Sequence, residues 1–402
     1  MTNTKIQVYS YRWIILATYF LITAIIEIQW LTFASVSSAA QEFYHASALR
    51  IDFLSIIYML VFIVISIPAS YIIDTYGLRT GLVTGAILTG FFGILKAWGG
   101  NSLLVVTIAQ TGLAIAQPFI LNALTKVGAK WFPIEERATA AGLGTLAQYA
   151  GIIIALAVTP MLIGDTQNGS FDFVKMLWIY GLVSVIAALL IIIFMRDEPP
   201  TPSSPVEFTE RTEPKLAFAS IFKNQDMQIL LILFFIGLGI FNAVSTTIDQ
   251  ICKNLTMDET GIVGGIMLFG GVLGAIVLPA ISDKIRKRKP VVIFCLILML
   301  PGLIGLTVFT EFVPMLISAF AFGFFIMGLG PVGFQYGAEK SYPAPESTSQ
   351  GIILLMGQIS GIIFVFGLNK LGVTVAMVTF IVLTLFNVFL STRLKESMNK
   401  FL

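Results

Sequence analysis

Long continuous runs of apolar residues alternate with short polar segments along the whole chain. About 20 consecutive apolar residues cross a bilayer as a helix, whereas barrel strands alternate apolar and polar positions over short segments. The pattern therefore predicts an all-α membrane protein with twelve transmembrane helices. The runs fall near residues 12–36, 51–73, 80–98, 103–125, 138–163 and 172–195, and then near 227–251, 260–282, 289–309, 313–338, 347–369 and 373–391.

One longer polar stretch separates the first six runs from the last six. It starts at Arg196 and continues to about Asp226, and prolines and charged residues are concentrated near its start. Such a composition is typical of a linker between folded segments. We therefore expect two pseudo-symmetric six-helix bundles, residues 1–195 and residues 227–402, joined by a cytoplasmic linker of residues 196–226.

The composition narrows the class of protein further. Hydrophobic residues occupy 57% of the 402 positions and charged residues only 11%, against about 25% charged residues in soluble domains. This excludes a soluble enzyme, and a net charge of +2 gives no reason to expect a nucleic-acid partner. The single His45 and the two cysteines, Cys252 and Cys295, have no metal or redox spacing. We therefore expect no cofactor, no metal site and no enzymatic activity.

The distribution of basic residues predicts the orientation in the membrane. If both termini are cytoplasmic, 19 of the 24 Lys and Arg residues fall in inner segments and only 5 in outer ones. Inner loops of membrane proteins carry such an excess, so we expect an integral protein of the plasma or inner membrane with both termini in the cytoplasm. Among the outer five, Lys96 and Lys370 lie at predicted helix ends. Because long side chains there can reach the surface, we expect no function for either lysine.

Two loops, one in each half, repeat the same pattern around Asp74 and Asp283, which are 209 residues apart. Duplication at about half the chain length is expected of transporters built from two related halves. Both loops resemble, in part, the signature of the major facilitator superfamily. In that setting a carboxylate beside guanidinium groups and helix N-termini can latch two helices together, although solvated loop charges are the alternative. The candidate latch residues are Asp74, Gly77, Arg79, Asp283, Lys284 and Arg286.

Glu27 is the one acid that lies well inside a predicted membrane helix. A carboxylate in hydrocarbon is costly, so it should face the bundle interior, be protonated or be paired. Trp30 follows three residues later and therefore shares its helix face. A carboxylate beside an indole suits an organic cation, whereas burial would also let Glu27 carry a coupled proton. The third possible role of Glu27 is a purely structural hydrogen bond to a neighbouring helix.

Three amide side chains are further candidates for the wall of a central cavity. Gln117 lies in the fourth run, Asn242 in the seventh and Gln358 in the eleventh. An amide group offers two donors and an acceptor, which can orient a hydroxyl or an amine of a substrate. The alternative for each residue is a hydrogen bond between helices that contributes about 1 kcal/mol.

Several longer stretches are similar to the feline leukaemia virus subgroup C receptor-related family, FLVCR, a branch of the major facilitator superfamily. The runs 51–60 and 333–343 are the most specific because each is long and ordered. Shorter matches are Gln29-Trp30, Gly77-Leu78-Arg79 and the segment 351–361 around Gln358. The chain lacks the long tails of animal members, which favours a microbial relative.

This resemblance implies transport of choline and ethanolamine, with haem also proposed for some members, through a central cavity with an aromatic cage. Trp30 matches the cage tryptophan of the first segment, and Gln117 and Gln358 match the glutamines that line the pocket. The cage aromatic of the seventh segment is replaced by Asn242, and Glu27 stands where eukaryotic members have a small neutral residue. A carboxylate gained and an aromatic lost favour a different substrate or proton coupling.

The sequence thus predicts a secondary transporter that moves a small polar or cationic organic solute by alternating access. Its partners would be the solute, a proton in the coupled case, and the lipid bilayer, and the protein would work as a monomer. The alternatives are an exporter of amphipathic compounds, such as drugs or porphyrins, and a membrane receptor that transports nothing.

Overall fold

The computed structural model describes residues 7–164, 172–203, 221–255 and 257–397. Within these residues twelve helices are long and apolar enough to cross a membrane, and the prediction of an all-α, twelve-helix membrane protein is confirmed. In chain order, α1 to α12 are Arg12–Trp30, Ala48–Tyr76, Leu78–Trp98, Leu103–Leu121, Arg137–Ile163, Phe173–Phe194, Gln225–Thr246, Met257–Ile285, Lys289–Val308, Phe312–Lys340, Glu346–Leu371 and Val373–Thr392.

Short helices extend two of these spans. A turn at Ala34–Val36 and a helix at Ser37–Tyr44 follow α1, and the helix Leu124–Trp131 follows α4. The break between α2 and α3 falls on Gly77, whose φ of 102° lies in a region that side chains with a Cβ rarely adopt. This glycine therefore lets two long helices follow each other with a single residue between them.

Close contacts divide the chain into two compact units. Unit 1 comprises residues 1–131 and 146–203, and unit 2 comprises residues 132–145 and 204–402. The division between bundles that we derived from the sequence stays a prediction, and residues 204–220 of its linker lie outside the described residues. The described start of that linker belongs to unit 1, where Ser203 donates a hydrogen bond to the carbonyl of Lys130.

The repeat around the two aspartates extends to whole helices. Both α2 and α8 contain 29 residues, and α8 begins and ends 209 residues after α2. Each also contains a proline about two turns before its end, Pro68 in α2 and Pro279 in α8. The matching lengths and positions are those expected of an internal duplication.

Unit 1 is held together by close packing of α3 against α4 and α6, and of α1 against α6. A Cβ atom on Gly181 of α6 would lie 2.8 Å from the carbonyl oxygen of Gly93 in α3. One end of the unit is filled by an apolar cluster that includes Phe33, Phe173 and Met176. Small residues at the crossing therefore let the helix backbones approach closely, as is usual in membrane bundles.

Unit 2 uses the same device where α8 crosses α10. A Cβ atom on Gly274 of α8 would collide with the backbone carbonyl of Phe324, and one on Gly323 of α10 would collide with the carbonyl of Met267. Backbone atoms cannot rotate away as side chains can, so both glycines are required by the helix separation.

Replacing Gly274 by Ala should therefore destabilise the protein. We expect Gly274→Ala to cost about 1–3 kcal/mol because the added methyl group overpacks the crossing. Gly265→Ala is the matched control on the same helix, since nothing lies within 4 Å of the position its Cβ would take. Thermal unfolding of purified protein in detergent would show the difference, and equal melting temperatures for both variants would contradict this account.

Candidate functional site

Glu27 lies on the buried face of α1 and is only 2% exposed. The Nε2 of Gln117 in α4 lies 3.4 Å from Glu27 Oε1, which is a long hydrogen bond. On another side Gly151 of α5 packs against this turn of α1, and a Cβ there would lie 2.8 Å from the Cβ of Glu27. The structure thus brings together two residues, Glu27 and Gln117, that the sequence named separately.

Trp30 stands at the end of α1, three residues beyond Glu27. Its indole Nε1 donates a hydrogen bond of 3.0 Å to the carbonyl oxygen of Ser55 in α2. The ring centroid lies 6.4 Å from that of Tyr58, and the two rings are tilted by 42°. Because the indole N–H is committed to α2, the ring has a fixed orientation, and Tyr58 supplies a second aromatic side chain beside it.

Lys96 does not reach the surface, contrary to the expectation from the sequence. It is 0% exposed, and its Nζ donates to Gln29 O at 3.3 Å, Thr32 Oγ1 at 2.9 Å and Gln110 Oε1 at 3.1 Å. The surrounding helices are too closely packed for the side chain to extend past them. Lys370, by contrast, is exposed, with its Nζ 5.7 Å from the ring centroid of Phe366.

In unit 2, Asn242 and Gln358 lie on α7 and α11. Asn242 Nδ2 is 3.4 Å from the carbonyl oxygen of Gly357, and a Cβ on Gly361 would come within 2.7 Å of the same nitrogen. Gln358 is half-buried, and its amide has no hydrogen-bond partner within the described residues. The amide of Asn242 therefore contacts the backbone of α11 beside Gln358, and the amide of Gln358 is available for other contacts within the described residues.

A buried charged cluster of unit 2 surrounds Arg288, which lies between α8 and α9 and is 0% exposed. Its guanidinium contacts Asp283 Oδ1 at 2.5 Å and Glu339 Oε1 at 3.1 Å. Burial alone would lower the pKa of Arg288, but the two carboxylates more than offset this and hold the pKa above its usual value. Arg288 therefore stays charged and joins the ends of α8 and α10.

Asp283 also binds the first turn of α5. Its Oδ2 accepts from the backbone N–H of Thr139 at 2.7 Å and from Thr139 Oγ1 at 2.8 Å. A carboxylate is favoured at a helix N-terminus, where backbone N–H groups lack partners within the helix. The predicted combination of aspartate, guanidinium and helix N-terminus is thus present around Asp283.

The basic partner of Asp283 differs from the two residues that the sequence pattern suggested. Lys284 is exposed, and Arg286 is exposed with its NH2 3.7 Å from Glu135 Oε1. Arg286 adopts a φ of 53°, so the chain reverses there and returns Arg288 to the aspartate. A lysine next to Asp283 on the same helix points about 100° away from it.

In unit 1 the corresponding aspartate has another partner. Lys126 Nζ lies 3.1 Å from Asp74 Oδ1 and donates to the carbonyl of Ile73 at 2.7 Å. Among the described residues Arg79 forms no ion pair with Asp74: its guanidinium NH2 donates to the carbonyl of Ile192 at 3.4 Å, and its backbone N–H donates to Asp197 Oδ1 at 2.9 Å. A Cβ on Gly77 would collide with that same oxygen. The described start of the predicted linker therefore covers this loop.

The C-terminal segment closes over the cluster of unit 2. Glu396 Oε1 accepts from the backbone N–H of Arg288 at 2.9 Å and so caps the start of α9. The Oγ of Ser397 donates to Glu339 Oε2, and Tyr336 donates its hydroxyl to the carbonyl of Lys395. The chain after α12 thus fastens the ends of α9 and α10.

Twelve membrane helices, a duplicated helix pair and buried ionic clusters at the two aspartates define the class of protein as a polytopic membrane transporter. The chain belongs to the Major Facilitator Superfamily, whose family model matches residues 15–365. This confirms both the fold class and the superfamily expected from the loop signatures.

Similar proteins with known names narrow the assignment from the superfamily to one of its branches. Solute carrier family 49 member A3 of Danio rerio is 30% identical over 383 residues, which cover 92% of this chain and 80% of the relative. The human choline/ethanolamine transporter FLVCR2 is 29% identical over 381 residues, covering 89% of this chain and 72% of the relative. The resemblance to the FLVCR family is therefore confirmed.

Solved structures show the same fold at low sequence identity. The transporter FucP in its outward conformation superposes with a TM-score of 0.75 and 12% identity, covering 94% of this chain and 98% of the other. The human organic anion transporter MFSD10 gives a TM-score of 0.74 at 11% identity, covering 94% and 99%. These matches support the major facilitator fold alone.

Removing the guanidinium of Arg288 should destabilise the protein strongly. Arg288→Met leaves Asp283 and Glu339 buried without their cation, and breaking a buried pair in this way costs about 3–5 kcal/mol. Arg286→Met removes an exposed guanidinium and should change stability by less than about 0.5 kcal/mol. Thermal unfolding in detergent compares the two variants, and a similar loss in both would argue against the buried network.

Proposed function

We propose that this transporter carries a small organic cation of the choline and ethanolamine type by alternating access. The observation that carries the proposal is the pairing of Glu27 with Trp30 on one face of α1. Glu27 is buried, and within the described residues its side chain has only a long hydrogen bond from Gln117, so its carboxyl group is available for a cation or a proton. The names of the FLVCR relatives point to the same class of substrate.

The aromatic part of the proposed site is Trp30 together with Tyr58. A quaternary or primary ammonium is attracted to the face of an aromatic ring, and the hydrogen bond to Ser55 holds the indole ready for this contact. In unit 2 we propose that Asn242 and Gln358 contact the substrate through their amide groups. Gln358 supports this role because its amide is unoccupied within the described residues.

Glu27 has a second proposed role as the carrier of a coupled proton. A buried carboxylate can bind either a cation or a proton, and exchange of one for the other couples their movement. For the conformational change we propose that Asp283, Arg288 and Thr139 form a latch, with Asp74 and Lys126 as its counterpart in unit 1. Such ionic clusters at helix ends can form and break as helices move.

We also propose an arrangement of the chain in the membrane. The 19-to-5 distribution of basic residues supports cytoplasmic termini in a plasma or inner membrane. The matching lengths of α2 and α8 support two six-helix bundles separated by residues 196–226. We further propose that the protein works as a monomer, with the solute and a proton as its partners.

Replacing Trp30 tests the cation site. In proteoliposomes loaded with unlabelled choline, Trp30→Ala should weaken binding of labelled choline by about 1–2 kcal/mol, or about 5- to 30-fold, because the cation–π contact is lost. Trp98→Ala is the matched control, since Trp98 is exposed at the end of α3. Equal affinity in wild type and Trp30→Ala would remove Trp30 from the site, and no choline exchange in the wild type would overturn the substrate class.

Glu27→Gln separates the two roles of the carboxylate. As a cation ligand, Glu27 should be needed for exchange at every pH, with a loss of about 2 kcal/mol or more in affinity. As a proton carrier, its replacement should spare exchange but abolish the stimulation of uptake by an imposed pH gradient. Glu311→Gln, at an exposed position, is the control. Unchanged exchange and unchanged stimulation would contradict both roles.

A further inference from the structure

We infer that Lys96 is a positioning residue for the substrate site. Its ammonium ties the end of α1, which carries Trp30, to Gln110 of α4, and Gln110 in turn binds α2. The inference deepens the proposed function, because it rests on Trp30 being a substrate contact. Lys96 is not one of the proposed substrate contacts, but its protonation would let pH change the geometry of Trp30.

The hydrogen bonds of Lys96 match the protonated form of the side chain. An ammonium has three N–H donors and no acceptor, and the three oxygens around Nζ are those of Gln29, Thr32 and Gln110. A neutral amine has two donors and a lone pair, so one acceptor would lose its hydrogen. The arrangement of the oxygens therefore depends on the proton of Lys96.

No carboxylate neutralises this charge. Lys96 forms no ion pair with any acid in the described part of the chain, and its three acceptors are uncharged. The carbonyl of Gln29 belongs to the last turn of α1, where helix carbonyls carry partial negative charge. The ring of Phe33 adds a contact at 5.6 Å. A charge held only by dipoles is poorly compensated, so its proton is the sensitive part of this cluster.

Gln110 passes the effect of Lys96 to the aromatic pair. Its Oε1 accepts from Lys96, and its Nε2 donates to the carbonyls of Gln29 and Leu54 at 3.2 and 3.1 Å. Trp30, which follows Gln29 in α1, donates to the carbonyl of Ser55, which follows Leu54 in α2. Two successive residues of α1 are thus tied to two successive residues of α2.

Tyr58 connects the same amide to the ring of Trp30. Its hydroxyl lies 3.5 Å from Gln110 Oε1, and its ring is the one that faces the indole. Loss of the Lys96 proton would leave Oε1 without its strongest donor and free the Gln110 amide to reorient. We expect the indole and the tyrosine ring to shift with it.

Few other titratable groups face this cluster. Glu27 comes from α1, Tyr58 from α2 and Tyr180 from α6, and Tyr44 lies on the short helix after α1. Gln110 of α4, which binds Lys96, is uncharged, and Thr159 of α5 pairs with the Tyr180 hydroxyl at 2.7 Å. Since free tyrosine titrates near pH 10, Glu27 is the group whose titration must be separated from that of Lys96.

Fluorine NMR of protein labelled with 5-fluorotryptophan tests the inference without substrate. The resonance of Trp30, assigned by its loss in Trp30→Phe, should shift with pH between about pH 5 and pH 10 in the wild type. The shift should disappear in Lys96→Met and persist in Glu27→Gln. Lys370→Met, at an exposed lysine, should behave as the wild type.

A second variant keeps the test decisive if Lys96→Met fails to fold. Thr32→Asp places a carboxylate where the Thr32 hydroxyl accepts from Lys96 at 2.9 Å, which favours the charged form of the lysine and leaves the amide of Gln110 intact. The midpoint of the Trp30 shift should then rise by about one pH unit or more. An unchanged midpoint, a shift that survives in Lys96→Met or vanishes in Glu27→Gln, or no shift in the wild type would each overturn the inference.

The same samples distinguish this inference from the proposed function. The resonance is read without substrate, so a shift governed by Lys96 can be found even if Trp30→Ala exchanges choline normally, and only the substrate assignment would then fail. If both hold, the affinity for choline should follow the same pH midpoint as the resonance. In Thr32→Asp the two midpoints should move together, and a change in one alone would separate positioning from binding.

Discussion

The structure depends on one constraint: a polar or charged group inside an apolar helix must find its partners within the protein. Hydrocarbon offers neither hydrogen bonds nor counter-ions, so each unpaired group is costly. Glu27 and Lys96 meet this requirement inside helices, through an amide and through neutral oxygens. Arg288, buried between α8 and α9, meets it through two carboxylates. Arg288 is balanced by two opposite charges, whereas Lys96 and Glu27 have only uncharged partners among the described residues. These two less compensated groups are the ones close to Trp30.

The two halves solve the same problem with different residues. α2 and α8 have the same length and end in equivalent aspartates. Asp74 takes its cation from Lys126, in the short helix after α4, whereas Asp283 takes it from Arg288, just beyond its own helix. Duplication thus preserved the carboxylate and the helix geometry, while the origin of the cation diverged. The loop at Asp283 is also sealed by Glu396 and Ser397, near the end of the chain.

Close helix packing and polar clusters act at different places within each unit. Glycines at the crossings of α3 with α6 and of α8 with α10 bring backbones together. The ionic clusters lie at helix ends, where single hydrogen bonds can change without disturbing the packed interior. This separation suits the proposed latch, because the packed regions would keep their internal contacts if the hydrogen bonds at the helix ends changed.

The sequence alone determined the twelve helices, the repeat of 209 residues and the family, because hydropathy over 20 residues and long ordered motifs need no knowledge of contacts. It also singled out Glu27 and Trp30, since a carboxylate in an apolar run is conspicuous. Lys96 looked like a surface lysine, and Arg288 was one of several basic residues in a row. Only the tertiary structure separated them, because a lysine near a helix end is buried or exposed according to its neighbours. The turn at Arg286 likewise decides which guanidinium meets Asp283, and spacing along the chain does not encode that reversal.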